Sequence, residues 1–452
     1  MKDSRLDQYL QAPKKALWTL AIPIMIGMGI QTLYTVVDII FIGRLGGAAI
    51  TAVAFNMPLF FFVMGLTMGL GTGVTATVAR YIGERDKVNA DNSAEHAVVL
   101  GLLIGTPLML IGLRFGPQLL AALGAPADLL PMSWSYLRII AIGLPFMIFS
   151  GFFRSILSGE GDTRFPMMVA GLGTVLNIIL DPIFIFALDW GVPGAAMATI
   201  VSQFVSFSVY FYMLYVKKHS YITFKIKHFH PDGTIFRHIF TVGIPASLSM
   251  IIMSIGQGVF NRILVSYSPE TVAAYQISGR VDMLVFLPIM SIGAALTTLV
   301  GMFYGAREPG KLKMIVKYGY GRSVGITLVS SLLVFLMAPL IVKGFTPETA
   351  VQHIALTYLR LIALVYPIVA VGMTSGRILQ GFGKGIPVLT ITSIRILVVS
   401  APLASYFAFV VHKPLEWVWY SMMISTLVSA FIGITWVRNT FRKVMPVLMR
   451  AA

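Results

Sequence analysis

Charge is what this sequence has least of. Only 12% of its 452 residues are charged, 57% are hydrophobic, and the mean hydropathy is +0.84. A soluble domain carries about 25% charged residues, so an ordinary soluble enzyme is excluded. A disordered chain is excluded too, because disorder needs low hydrophobicity and high charge. Cysteine is missing altogether, which removes disulfides, Cys-based metal sites and thiol catalysis. Nucleotide and catalytic motifs are missing as well. Gly381-Phe382-Gly383-Lys384-Gly385 has the look of a P-loop, but Ile378 stands where the first Gly belongs and Gly follows the Lys. No nucleophile elbow, zinc motif or dinucleotide fingerprint appears. Neither an enzyme nor an ATP-driven pump is expected, and no organic cofactor.

What is present is a series of long apolar runs. One membrane crossing needs about 20 mostly apolar residues. Runs of that length fall at 16–41, 48–78, 93–115, 133–157, 166–188 and 193–216, then at 236–264, 270–303, 318–341, 354–378, 386–410 and 416–437. The fold class expected is therefore an all-α integral membrane protein with twelve transmembrane helices. The first run is too long for a signal-peptide core and lacks a small-residue cleavage site, so it is expected to stay as helix 1.

The formal charge of +16 is then an orientation signal. With twelve alternating crossings, one side receives both termini and the even-numbered loops. That side or its helix ends hold 25 of the 34 basic residues, among them Lys2, Arg5, Lys14, Lys15, Arg85, Lys87, Lys225, Lys227, Arg307, Lys311, Arg442 and Lys443. By the positive-inside rule both termini are cytoplasmic in a multi-pass protein of the cell (inner or plasma) membrane. The basic excess also attracts anionic head groups, so membrane lipids are expected partners. Nucleic acid is not, because no loop is large enough for a base-reading basic face. His228 and His230 share one basic linker and read as solvated side chains rather than a metal site.

The sequence also repeats itself at a period near 222. Tyr136-Leu137-Arg138-Ile139-Ile140-Ala141 before Pro145 recurs as Tyr358-Leu359-Arg360-Leu361-Ile362-Ala363 before Pro367. The same offset relates Ile22-Pro23 to Ile244-Pro245, Tyr81-Ile82-Gly83 to Phe303-Tyr304-Gly305, and Leu157, Gly159 and Gly161 to Leu379, Gly381 and Gly383. Six helices separate the copies, so the two halves share orientation and are parallel repeats. The expected division is an N-lobe over 1–216, a cytoplasmic linker over 217–237 and a C-lobe over 238–452. Two such six-helix lobes suit alternating access, and a monomer is expected.

Of 18 acidic residues, only Asp38, Asp181 and Asp282 lie deep inside apolar segments; Glu95, Glu270 and Glu416 stand within three residues of a segment's start. A charge near a helix centre costs at least about 2.5–3.5 kcal/mol on insertion scales, which makes each a functional candidate. Asp38 and Asp181 both belong to the N-lobe, in the outer halves of helices 1 and 5. Asn177 is four residues before Asp181 and shares its helix face, and Pro182 loosens the helix just after it. Two acids together in low dielectric cannot both ionise cheaply, so the pair wants a proton or Na⁺. Asp282 reads differently, as one member of a structural ion pair with a cation such as Arg262. Asn56, Gln203, Gln257, Asn261 and Gln276 are candidates to line a polar cavity, or equally to bond between helices.

Several segments together resemble the multidrug and toxic compound extrusion (MATE) family, over nearly the whole chain. Leu20-Ala21-Ile22-Pro23 followed by Val37-Asp38-Ile39-Ile40-Phe41-Ile42-Gly43-Arg44-Leu45-Gly46 is similar to that family's first helix and loop. The segment 154–164, from Arg154-Ser155-Ile156 to Asp162-Thr163-Arg164, resembles its loop between helices 4 and 5. The stretch 177–185 and Gly194-Ala195-Ala196-Met197-Ala198-Thr199 resemble its helices 5 and 6. The resemblance implies cation-coupled export, by antiport with H⁺ or Na⁺, of small amphipathic and often cationic compounds. It also implies a cation site at Asp38, Asn177, Asp181 and Thr199, the pattern of the DinF-like branch. The NorM-like branch places acids in helices 7 and 10; here 236–264 and 354–378 contain none, so that second site does not carry over. A flippase for a lipid-linked substrate on the same scaffold is the alternative reading.

Overall fold

A computed structural model describes residues 4–224 and 229–451. Lys2, Lys225, Lys227 and His228, and what was expected of them, lie outside the described residues. Among the described residues the regular structure is entirely helical. The first six spans are α1 (Pro13–Gly43), α2 (Met57–Gly83), α3 (Lys87–Ala122), α4 (Leu130–Glu160), α5 (Arg164–Pro182) and α6 (Gly191–Phe211). They are followed by α7 (Gly233–Val265), α8 (Pro269–Gly305), α9 (Pro309–Phe345), α10a (Thr349–Ala363), α10b (Tyr366–Gly381), α11 (Ile386–Ser393) and α12 (Glu416–Ala451). Several spans contain wider π-turns: α5 continues into one over Ile183–Ala187, α6 into one over Tyr212–Val216, and α11 into two, Ile394–Ser400 and Tyr406–Val410, with α-helix over Ala401–Ser405 between them. Eleven helices are long and apolar enough to span a membrane, and the pair α10a and α10b, bent by 59°, makes twelve. Helices suit this setting because they satisfy their own backbone groups where no water can.

Side-chain exposure supports the same conclusion. On α9 the outward residues Leu332, Leu336 and Leu340 are each 60% or more exposed. In water so long an apolar stripe marks an interaction surface or an aggregation hazard. Facing lipid tails it carries no penalty.

By contacts the chain forms two compact units. Unit 1 comprises Met1–Asp7 and Ile22–Ile239, and unit 2 comprises Gln8–Ala21 and Phe240–Ala452. The first turns of α1 therefore pack with unit 2, where the Trp18 indole donates to the Tyr318 hydroxyl at 3.0 Å. The 222-residue repeat is physical as well as textual. In unit 1 the Thr75 hydroxyl donates to the Ser155 carbonyl at 2.9 Å; in unit 2 Thr297 donates to the Arg377 carbonyl at 3.1 Å. Both pairs stand 222 apart and join the second helix of a unit to its fourth. Small residues and hydroxyls at such crossings are how membrane helices associate without a hydrophobic drive.

The repeat is not perfect. Pro145 sits inside the unbroken α4, whereas its counterpart Pro367 follows a break between α10a and α10b. The basic segment after α6 is also no free linker in its described part. It lies as a strap on unit 1. The Glu160 carboxylate accepts from the Ser220 hydroxyl and from the Tyr221 amide at 2.8 Å. Asp91 accepts from the Thr223 amide at 2.9 Å, and His96 Nε2 from the Asp232 amide at 3.0 Å.

Candidate functional site

The site is built in unit 1 from one face each of α1, α4, α5 and α6. Asp38 comes from α1 and is only 9% exposed, while Asn177 and Asp181 of α5 are fully buried. One α-helical turn separates those last two, and Asn177 Nδ2 donates to Asp181 Oδ1 at 3.2 Å. Pro182 lacks the amide that an α-helix needs at that position, and the chain passes into the π-turn directly after it. Thr199, on the first turns of α6, is buried, and its hydroxyl lies 3.1 Å from that of Tyr34. Tyr34 in turn stands one turn before Asp38 on α1.

The two acids stand without a counter-charge among the described residues. Asp38 and Asp181 lie within electrostatic reach of one another. The phenols of Tyr34 and Tyr136 feel both of them. Among the described residues no Lys, Arg or His forms an ion pair with either carboxylate. Three buried oxygens here have no hydrogen-bond partner: Asp38 Oδ1, Asn177 Oδ1 and Asp181 Oδ2. Leaving a buried acceptor unpaired costs about 1–3 kcal/mol, more if it is charged. These atoms are acceptors with no donor among the described residues, the kind of group that a cation or a proton would satisfy. Carboxylate, amide and hydroxyl oxygens are hard ligands and suit Na⁺ as a metal. No group of three or more His, Cys, Asp or Glu gathers among the described residues.

Two residues of this pocket were not anticipated. Tyr34 was signalled only by its one-turn spacing from Asp38. Tyr136 was visible as the first letter of the repeated Tyr-Leu-Arg segment. Its counterpart in unit 2, Tyr358, donates to Asp282 Oδ2 at 2.8 Å, and Tyr366 donates to Oδ1 at 2.5 Å. Each unit thus sets a buried phenol of that segment near an intramembrane acid. The partners of Asp282 are these two hydroxyls; the ion pair expected with Arg262 is not formed among the described residues. A phenol supplies a hydrogen bond without the desolvation cost of burying a second charge.

The other candidates are scattered. Asn56 is buried where α2 begins, and its amide donates to the carbonyls of Ala52 and Ser133 at 3.0 and 3.3 Å. That is a brace between helices. Gln203 is half-buried on α6, and Gln257 is exposed on α7. Gln276, exposed on α8, donates to Asn261 at 3.4 Å.

Comparison with known proteins identifies the family. The family model described as MatE matches residues 23–183 and 245–406, one block in each half of the repeat. The chain belongs to the MatE family. This MatE protein is 30% identical over 390 residues to the multidrug export protein MepA of Staphylococcus aureus (strain N315), a match covering 85% of each chain. It is 28% identical over 401 residues to a probable multidrug resistance protein NorM of Thermotoga maritima, covering 86% of this chain and 85% of that one. Among solved structures it is similar to a MATE protein in a bent conformation, with TM-score 0.94, 33% identity and 99% and 100% of the two chains covered. A multidrug resistance MATE family transporter of the MOP superfamily, outward-facing, matches with TM-score 0.93 and 33% identity over 99% and 100%. So does a MOP superfamily transporter from Pyrococcus furiosus, described by a binding pocket of reversed polarity that suggests a different function, with TM-score 0.92 and 33% identity over 98% and 100%. This MatE protein is accordingly a membrane transporter of two repeated six-span halves and not an enzyme.

Proposed function

We propose that this MatE protein is a cation-coupled antiporter that exports small amphipathic, often cationic, organic compounds by alternating access. Asp38, Asn177, Asp181 and Thr199 bind the coupling ion, H⁺ or Na⁺. One observation carries the reading: two buried acids lie within electrostatic reach of each other, each with an unpartnered oxygen, as has Asn177 one turn before Asp181, and among the described residues no basic side chain pairs with either. A fully ionised, empty pocket pays for unpaired charge in low dielectric. Binding a cation removes that cost and changes how tightly α1, α5 and α6 pack. The relatives named for multidrug export and multidrug resistance support the substrate class. The basic excess at the end bearing both termini supports a cytoplasmic placement of that end in the cell membrane.

The energy is adequate. One charge crossing about 100 mV releases roughly 2.3 kcal/mol, and each pH unit adds about 1.4 kcal/mol for a proton. The test is efflux of a cationic dye from proteoliposomes under an imposed pH gradient, then under a Na⁺ gradient. Wild type responds to one of the two. Asp38→Asn is expected to stop efflux while eluting as a monodisperse protein with wild-type yield. Wild-type transport by that variant would remove Asp38 from the coupling step. Failure of both gradients across a panel of dyes would shift the reading to flipping of a lipid-linked substrate.

A further inference from the structure

The repeat allows one unit to be used as a template for the other, and at one place they differ. In unit 1 the face shared by α3, α4 and α6 is filled with rings. Phe149 packs against Phe153 and Phe207 with centroids 6.3 and 5.8 Å apart. The strap adds Phe224, buried against Phe153 at 6.2 Å and Tyr215 at 5.1 Å. The equivalent face of unit 2 belongs to α9, α10b and α12. At the 222-residue offset Phe149 becomes Val371, and Val99 and Leu103 of α3 become Gly321 and Gly325. The C-terminal α12 continues as helix to Ala451, where unit 1 has its strap.

The result is an open groove of about 530 Å³ in unit 2, walled by Val324, Val371, Ile434 and Val437, with Arg438 at its rim. A Cβ on Gly321 or Gly325 would meet nothing within 4 Å, so the groove floor is free. Along a neighbouring face of α12 a second concavity of about 500 Å³ runs from Phe431 and Ile432, past Thr435 and Trp436, to Arg442 and Lys443. Arg438 and Arg442 are four apart, share a helix face and are both exposed. The charge at this place is of one sign. Neither α9 nor α10b contains an acidic residue, and α12 has only Glu416 at its opposite end.

An apolar trough in a membrane-spanning surface, ending in guanidinium groups, matches one ligand chemistry. We propose that this groove is a binding site for an anionic phospholipid. One acyl chain lies over Gly321 and Gly325 against Val371, Ile434 and Val437. The phosphate is held by Arg438 and Arg442, which share a face of α12. Guanidinium groups bind phosphate oxygens through paired, charge-assisted hydrogen bonds. The polybasic end of α12 and the apolar groove then select the lipid together: charge picks the head group, and the missing side chains make room for the tail.

Native mass spectrometry of the full chain in detergent tests this, with phosphatidylglycerol and phosphatidylcholine offered in turn and glycerol phosphate as a tail-less probe. Wild type is expected to retain phosphatidylglycerol at least ten-fold more than phosphatidylcholine and to ignore glycerol phosphate. Gly325→Leu, which fills the groove, and Arg438→Gln/Arg442→Gln, which removes the phosphate ligands, each lower that retention ten-fold or more. Arg114→Gln, an exposed basic position of unit 1, leaves it unchanged. Thermal unfolding confirms that each variant is folded; if Gly325→Leu is not, Gly321→Ala/Gly325→Ala narrows the groove with less disturbance and is expected to weaken retention measurably. Equal retention of both lipids overturns the proposal. So does phosphatidylglycerol retained undiminished by folded groove variants, or binding of glycerol phosphate alone. A wild-type dimer that Gly325→Leu converts to monomer would assign the groove to a second copy of the chain and overturn it as well.

Discussion

Gly194→Ala puts the construction of the proposed cation site under direct test. Gly194 lies on the first turn of α6, against the π-turn that follows Asp181 and Pro182. A Cβ there would sit 2.5 Å from the Phe184 carbonyl oxygen, 2.7 Å from its carbon and 2.9 Å from the Ile185 nitrogen. Ordinary van der Waals contact begins at 3.4 Å, so the turn must retreat by about 1 Å in a close-packed interior. All three atoms are backbone, so no side-chain rotation relieves the clash. The same Phe184 oxygen accepts the Trp190 amide at 3.2 Å, a bond the retreat would lengthen. Overpacking of this kind costs typically about 1–3 kcal/mol, and the backbone contact argues for the upper end, about 100-fold in an unfolding equilibrium. The displaced turn is continuous with Asp181, so transport should fall along with stability. Size-exclusion thermal unfolding in detergent reads the first effect and gradient-driven dye efflux the second. Gly29→Ala on α1, where a Cβ meets nothing within 4 Å, is the control and should be neutral or slightly stabilising. A Gly194→Ala protein with wild-type unfolding midpoint and wild-type efflux would refute the reasoning.

Two further outcomes follow from the geometry. Tyr366→Phe leaves Asp282 Oδ1 without its phenol donor, and the thermal midpoint should drop by the equivalent of about 1–3 kcal/mol. Tyr366→Phe in an Asp282→Asn background should cost markedly less, and additive losses in that double-mutant cycle would show the two residues to be uncoupled. Asp162, between α4 and α5, gives a pH dependence. Burial works against its charge, but Arg5 at 2.7 Å, the Phe165 amide and His219 outweigh that and hold its carboxyl below the usual range. Because the folded form binds its proton less readily than the unfolded chain, its stabilisation is complete above the ordinary Asp value of about 3.9. It is lost as pH falls from there through the depressed value. Unfolding midpoints of Asp162→Asn, followed downward from pH 5, should lose less than those of wild type; parallel curves would refute the assignment.

Much of this protein was legible before any coordinates. Twelve spans followed from run length, because a bilayer of fixed thickness imposes a minimum on every apolar segment. The 222-residue repeat was legible from a few short segments, and the structure turns it into matching Thr75–Ser155 and Thr297–Arg377 hydrogen bonds. Asp38 and Asp181 stood out because so few acids enter apolar segments, and Asn177 stood out by one-turn spacing. Three things did not show. Asp282 invited a charged partner and has two phenols instead, since either choice satisfies a buried carboxylate and composition does not distinguish them. The basic segment after α6 read as a solvated linker, yet its described residues are bonded down to Glu160, Asp91 and His96. The groove in unit 2 was invisible, because an absent side chain becomes a cavity only when its neighbours are in place.

The division between the two kinds of information has a physical basis. Hydropathy, charge bias and helical spacing act along the chain, so the sequence alone determined the membrane setting, the number of spans, the repeat and the rarity of intramembrane acids. Which groups are left unpaired depends on what several helices bring to one point. Tyr34, Tyr136 and Thr199 beside two acids, and the groove in which Gly321 and Gly325 face Val371 and Ile434, are assembled from segments far apart in sequence. Only tertiary packing decided those.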